Sequence, residues 1–355
     1  MPRLAFLLAT LIAVASPSLQ PTEPPGAEPT EVAPGVFVFA PGHTFDDFVD
    51  GNTTVVFGKS AVLVVDAPSV RLARAHAHWI RSHTALPVRY LVNTHWHPDH
   101  LGGNQVYSDS FPGVEIVATR YTRQIADERI PAVLVGLRGP RIDTLIGNYR
   151  RSIDSAATDA HKAASFETQR ARDALAYIAR ERPFWLETRY TPASLAFDGE
   201  LRLDLGGREV VIREAEGHTG GDAYVHLPRE GVLVTGDLVI APVPYGINSH
   251  FRAWSRTLAS LQAIGGIRTI VPGHGDVLRS WDYVRTQQEL IDSLLAQVAA
   301  GVRVRLPVDS IQRHVDLSRF ERQMAGDDAA RRWGFENYFR EPAVERAFQE
   351  VRGEL

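Results

Sequence analysis

The sequence predicts an α/β fold in which sheets pack on each other with helices outside. Three observations carry that expectation. Short β-branched and aromatic runs alternate with turn residues and with stretches of helical spacing. The mixture recurs in two similar halves, the pattern of stacked sheets with helices on their outer faces. The chain of 355 residues is 44% apolar and 23% charged, close to the globular average, which excludes a disordered, collagen-like or coiled-coil chain.

Taken in order, Leu4 to Val14 is an apolar run behind Arg3, and Ala13 and Ala15 form an A-x-A pattern. Residues 1–15 therefore read as a secretory signal cleaved after Ala15. The competing reading is a membrane anchor, but Pro17 ends the run short of the roughly 20 apolar residues a span needs. Ser16 to Pro34 holds six prolines in nineteen residues and reads as an extended linker. The folded part is expected from Gly35. Val36 to Phe39, Asn52 to Phe57 and Ala61 to Val65 read as antiparallel strands. Ser69 caps a helix to about Ser82, and Val88 to Val92 is the next strand. Further strands are expected at Val114–Ala118, Leu201–Leu205, Glu209–Ile212, Ala223–His226, Val232–Thr235 and Thr269–Val271, with a helix near Trp254–Ile264.

Residues 120–192 are rich in Arg, Ala and Asp and read as a helical insertion between the halves. Such a segment is either a solvated insert that only packs or a lid facing substrate. The expected organisation is a signal at 1–15, a linker at 16–34, one α/β domain at 35–290 that carries the insertion, and a helical extension at 291–355.

The chain has no cysteine, which excludes disulfides, iron–sulfur clusters, cysteine nucleophiles and thiolate zinc sites. Net charge is −4, so no basic field is available for nucleic acid. Thirteen histidines are enough to build metal sites from imidazole and carboxylate. The sharpest signal is Thr94-His95-Trp96-His97-Pro98-Asp99-His100, directly after the strand ending at Val92. Positions two apart in an extended segment point the same way, so His95 and His97 can share one metal. The turn at Pro98 re-aims Asp99 and His100 toward a second position. Gly217-His218-Thr219-Gly220-Gly221-Asp222, Thr235-Gly236-Asp237 and Pro272-Gly273-His274-Gly275 each follow an apolar strand and place a His or Asp in a Gly-rich turn. The nitrogen and oxygen inventory suits zinc, and also iron or manganese. Thr219 and Ser249 read as turn chemistry, and His76, His78 and His83 as packing or surface residues.

H-x-H-x-D-H, then G-H-T-G, T-G-D and P-G-H-G, in this order, resembles the metallo-β-lactamase-fold hydrolase superfamily over about residues 35–290, the insertion excepted. The resemblance implies a four-layer αβ/βα sandwich with the site at one edge between the sheets. It implies that His95, His97 and His218 bind one zinc, that Asp99, His100 and His274 bind a second, and that Asp237 bridges both. Asp66 would support the ligands without binding metal. A bridging aspartate is similar to the thioesterase and lactonase branches; β-lactamases of this fold commonly lack it, and mononuclear iron dioxygenases keep only part of the set. The implied activity is that of an exported hydrolase in which a zinc-bound hydroxide, oriented by Asp99, cleaves an ester, thioester, lactone or amide of a small-molecule substrate. The alternatives are a β-lactamase, a phosphodiesterase and a non-catalytic metal-binding protein. Tyr245, His250 and His43 are candidates for touching substrate. A cleaved signal implies a periplasmic or secreted protein with no lasting membrane anchor.

Overall fold

Residues 28–41 and 50–355 are described in a computed structural model. The expected signal, most of the linker and His43 lie outside the described residues. Two sheets form the centre. The first has seven strands in sequential order: β1 (Thr30–Ala33), β2 (Val36–Phe39), β3 (Thr53–Phe57), β4 (Val62–Val65), β5 (Val88–Val92), β6 (Glu115–Thr119) and β7 (Leu195–Phe197). Its first half is antiparallel, and β4 to β7 run parallel. The second has five strands, β8 (Glu200–Asp204), β9 (Glu209–Ala215), β10 (Asp222–Leu227), β11 (Val232–Ile240) and β12 (Thr269–His274), in the order β12-β11-β10-β9-β8. Only β11 and β12 are parallel.

The hydrophobic pattern explains the stacking. Val36, Val38, Leu63 and Val65 of the first sheet meet Val210, Ile212, Val225 and Val234 of the second in a buried layer between them. The alternate residues Phe39, Val62 and Val64 face outward, onto helix α1 (Val70–His83). Ser69 caps that helix, its hydroxyl accepting from Leu72 N at 3.3 Å. Two short helices, α2 (Pro98–Leu101) and α3 (Asn104–Ser110), follow β5. Four helices make the insertion: α4 (Arg120–Arg138), α5 (Pro140–Ala156), α6 (Ala160–Ala163) and α7 (Phe166–Glu187). On the far side of the second sheet lie α8 (Phe251–Gln262) and α9 (Asp282–Arg303). With helices outside both sheets, the four-layer sandwich is the architecture observed.

Three expectations need correction. Among the described residues the first strand starts at Thr30, ahead of the expected Gly35, because β1 pairs with β2 at the sheet edge, where flanking prolines are tolerated. β7 joins the first sheet after the insertion, a strand of three residues that carries too little pattern to be seen. The boundary at 290/291 falls inside α9, a continuous helix of 22 residues. The later elements, α10 (Val308–His314), α11 (Ser318–Met324), α12 (Ala329–Gly334), a π-helix (Phe335–Arg340) and α13 (Glu341–Arg352), share one core with the second sheet. Phe335, Phe339 and Val344 are buried with Leu238, Trp254 and Leu290. The C-terminal helices are thus the outer layer of the sandwich rather than an extension beside it. Among the described residues, no helix is long and apolar enough to cross a membrane.

Candidate metal centre

Six of the seven metal-type side chains sit at the end of a strand or in the segment that follows one, and Asp237 sits within β11. β5 stops at Val92, and Thr94 to His97 follow in a segment fixed at both edges. Ala223 N donates to Thr94 O at 2.7 Å, and Asn93 exchanges side-chain hydrogen bonds with Asn104. Pro98 then opens α2, where its missing N–H costs nothing. That turn swings Asp99 and His100 away from the line of His95 and His97. Asp237 departs from the sequence expectation of a turn residue: it sits inside β11, which runs on to Ile240. The register shifts around Gly236, whose φ is +50°, so a bulge re-aims the strand and turns the Asp237 carboxylate inward.

The structure brings all seven expected ligands together. They form two sets, His95, His97, His218 and Asp237, and Asp99, His100 and His274, with the ligand atoms of each set within 4.8 Å of one another. Asp237 joins them. Its Oδ2 lies 3.3 Å from His218 Nε2 and 3.7 Å from His95 Nε2. Its Oδ1 lies 3.2 Å from His100 Nε2 and 3.5 Å from His274 Nε2. One carboxylate thus presents one oxygen to each set, the geometry of a bridge.

Outer contacts fix which ring nitrogens face inward. Asp66 is the hub. Its Oδ1 accepts from Thr94 N at 2.8 Å, and its Oδ2 accepts from Thr94 Oγ1 at 2.7 Å and from His100 Nδ1 at 2.8 Å. Thr94 Oγ1 in turn takes the proton of His95 Nδ1 at 3.1 Å. His95 and His100 therefore keep bare Nε2 atoms for the centre. Asp66 holds this position with φ +62°, a left-handed conformation that Asp tolerates better than most residues. His97 is held from outside by the Asn248 amide, 3.0 Å from Nε2, leaving Nδ1 toward His218 Nε2 at 3.0 Å. The atom that faces Nε2 is the Asn248 Nδ2; with Nδ1 as the ligating atom, Nε2 would carry the proton and the amide would turn its oxygen to it.

The donor chemistry fits cations. Buried His95 Nε2 and Asp237 Oδ1 have no hydrogen-bond partner. His97 and His218 oppose ring nitrogens, and so do His100 and His274 at 3.2 Å, contacts that need a proton or a cation between them. Burial pulls His97 down to about 3 and His218 to about 4, so both rings are neutral and able to ligate at pH 7. In the second set burial also works against charge, but Asp237 and Asp99 override it and raise His274 to about 9. Burial would raise the Asp237 carboxyl, yet the imidazoles around it, His100 foremost, hold it well below the usual carboxylate range. The second set therefore carries excess negative charge, which a divalent cation would balance in place of protons.

Glycine spacing is set by the same crowding. A Cβ on Gly273 would stand 1.9 Å from Asp237 Oδ1, and one on Gly236 would stand 2.5 Å from Thr94. Gly273→Ala should displace the bridging carboxylate and cut turnover by on the order of 10²-fold, as angstrom-scale misplacement does. The expected outcome is read as kcat together with metal bound per chain.

The other candidates divide. Tyr245 lines the cavity beside the ligands, its ring 6.1 Å from that of His97. His250 is not among the cavity's lining residues: Nδ1 meets Glu216 at 2.8 Å and Nε2 faces Arg346 at 3.3 Å, beside the start of α8. Thr219 donates to Asp222 and Ser249 to the Tyr245 carbonyl, both local turn bonds. His76 is buried against Phe39, their rings 4.0 Å apart. Sequence reasoning offered the insertion as a lid facing substrate but missed Asn248 and the individual wall residues Leu134 of α4, Trp185 of α7 and Tyr338 of the π-helix. In sequence these are ordinary helical residues. The insertion is more than a solvated appendage, since Ile130 and Leu134 pack on Trp96 of the ligand segment.

Comparison with known proteins agrees with this geometry. The family profile of the Metallo-beta-lactamase superfamily matches residues 46–274. A metallo-beta-lactamase from Pontibacter korlensis superposes with a TM-score of 0.53 at 18% identity, covering 75% of this chain and 98% of that one. The inverting sec-alkylsulfatase Pisa1 from Pseudomonas sp. gives a TM-score of 0.61 at 18% identity, covering 90% of this chain and 49% of that one. At such identities these likenesses speak for the fold alone. A hydroxyacylglutathione hydrolase from Synechococcus sp. (strain CC9902) is 34% identical over 105 residues, 29% of this chain and 38% of that protein. The chain therefore matches little more than a third of that relative's length.

Proposed function

The chain belongs to the metallo-beta-lactamase superfamily, and on that footing we propose that it is an exported dinuclear zinc hydrolase that cleaves an ester, thioester, lactone or amide bond in a small molecule. The observation that carries this reading is Asp237, whose two oxygens face two separate sets of imidazoles. A storage site has no need of a carboxylate shared between two positions inside a substrate-sized cavity. Members of the superfamily are mostly metal-dependent hydrolases, and the 105-residue likeness to a hydroxyacylglutathione hydrolase supports acyl transfer to water. Net charge of −4 speaks against a nucleic-acid substrate, and the apolar run at Leu4–Val14 supports export through a cleaved signal.

Bound at these donors, a pair of divalent cations supplies Lewis acidity toward the substrate carbonyl and brings the pKa of water toward about 7. The chain's own residues do the rest. Asp99 presents Oδ2 to His274 at 3.2 Å and to His100 at 3.4 Å, and it lines the cavity. Its other oxygen is free to take the proton of the attacking water and orient it. Burial raises the Tyr245 phenol above its usual value, so its hydroxyl stays protonated and serves as a donor to the acyl oxygen. Trp96 and Leu134 keep bulk water from that face of the site.

Chelator-treated protein should lose turnover on a panel of ester, thioester, lactone and β-lactam substrates, and zinc should restore it at two ions per chain. Turnover that survives complete metal removal overturns the reading. Nitrocefin as the best substrate would move the assignment to a β-lactamase. The intact mass of exported protein reads cleavage after Ala15.

A further inference from the structure

The cavity that opens on the metal donors has a volume of about 460 Å³, within the range that buries a drug-sized molecule. Its lining is largely apolar, with Val133, Leu134 and Leu137 of α4, Trp185 of α7 and Ile240 to Val243, and its neutral polar groups include Ser69, Thr188 and Asn248. Charged lining is confined to Asp50, Asp99 and Asp237 beside the histidines, and none of the described lining residues is Lys or Arg.

Arginines near these walls are engaged elsewhere. Arg71 meets Glu181 at 2.5 Å and faces the lining residue Asp50 at 3.7 Å, and its Nη1 has no hydrogen-bond partner. Arg129 lies over the Trp96 ring at 5.0 Å. Arg138 donates to the Trp185 carbonyl at 3.0 Å. A substrate carboxylate or phosphate in this cavity would be stripped of water and left without a cation to pair with, a costly arrangement. An apolar chain loses nothing there and gains from burial.

From the chemistry of these walls we infer that the non-reacting part of the substrate is an uncharged apolar chain, held between the α4–α7 insertion and the segment that follows Asp237. The inference rests on the hydrolase reading and narrows it to acyl or alkyl esters and their lactone and thioester equivalents. Selectivity then resides in helices outside the ligand motifs, which explains why the motifs alone specify chemistry and leave the substrate open.

The test uses the full zinc-loaded chain and p-nitrophenyl esters of acetate, butyrate and octanoate, with a carboxylate-terminated and a trimethylammonium-terminated acyl ester of octanoyl length. A buried methylene is worth up to about fourfold, so kcat/KM should climb by roughly 10²-fold or more from acetyl to octanoyl. Both charged esters should fall at least about tenfold below octanoyl, the cost of burying an unpaired charge. Leu137→Arg should lower the octanoyl-to-acetyl ratio by about tenfold or more by placing a charge in the wall. Val133→Arg replaces it if that variant fails to fold. Turnover that is flat with chain length, or a preference for either charged ester, overturns the inference while the hydrolase reading stands. Absence of turnover on every ester overturns the hydrolase reading instead. The cavity is then read by tryptophan fluorescence with decan-1-ol: saturable binding lost in Leu137→Arg supports the inference, and no binding overturns it.

Discussion

Asp237→Asn is expected to cut hydrolytic turnover by on the order of 10³-fold, because a metal pair contributes several kcal/mol to the transition state and each 1.36 kcal/mol is tenfold in rate. On the proposed dinuclear reading, bound metal should fall from two ions per chain to one or none. The substitution is nearly isosteric, so the cause is electronic. The carboxylate offers Oδ2 to His95 and His218, and Oδ1 to His100 and His274, at 3.2 to 3.7 Å. An amide keeps one acceptor and turns two N–H bonds toward imidazole lone pairs on the other side. It also removes the negative charge that faces all four rings. Metal content per chain, alongside an unchanged far-ultraviolet circular dichroism spectrum, reads the effect. Near-normal turnover with two bound ions would remove Asp237 from the bridge and leave two independent sites.

The first ligand cluster was legible because its geometry is local, and the joining of His218, Asp237 and His274 to it was legible through the resemblance of the ordered motifs. His95 and His97 are two apart after a strand, and His218 and His274 stand beside glycines that only close backbone approach requires. What sequence hid was long-range. Asp237 reads as a turn residue because Thr-Gly-Asp is turn chemistry, yet a bulge at Gly236 lets the strand continue through it to Ile240. Leu134, Trp185 and Tyr338 carry no sign of a pocket, since an amphipathic helix shows that one face is buried but not what covers it. His250 looked site-facing from its place in a loop, and Glu216 and Arg346 claim its ring. Asn248 is likewise a single loop residue; only its distance to His97 reveals its role. A helical extension is expected at 291–355, but nothing in its pattern tells that its apolar faces complete the layer over the second sheet.

The largest effect on stability is expected where the insertion joins the sandwich. Glu181 of α7 is fully buried and meets Arg71 of α1 at 2.5 Å, and Arg71 also faces Asp50 at 3.7 Å. Tyr177 of α7 donates to the same Asp50 at 3.3 Å. Burial, then the nearby Glu181 carboxylate, raises Asp50 to about 7, so Glu181 is the carboxylate that neutralises Arg71. Glu181→Ala leaves the Arg71 guanidinium, only 10% exposed, without that partner. Breaking a buried pair from one side costs about 3–5 kcal/mol, and the melting temperature should fall by roughly 5–10 °C. Arg74→Ala is the contrast. Its pair with Glu187 joins the same two helices at 2.6 Å, but both side chains are about half exposed. Such a pair is worth about 0–1 kcal/mol, and its loss should be barely visible. The double variant Arg71→Met with Glu181→Leu should recover most of the lost stability, because the penalty lies in the orphaned charge more than in the missing attraction. A Glu181→Ala protein melting with the wild type would mean that water or Asp50 satisfies Arg71. The insertion would then be held on the sandwich by apolar contacts alone, chiefly those of Ile130 and Leu134 with Trp96.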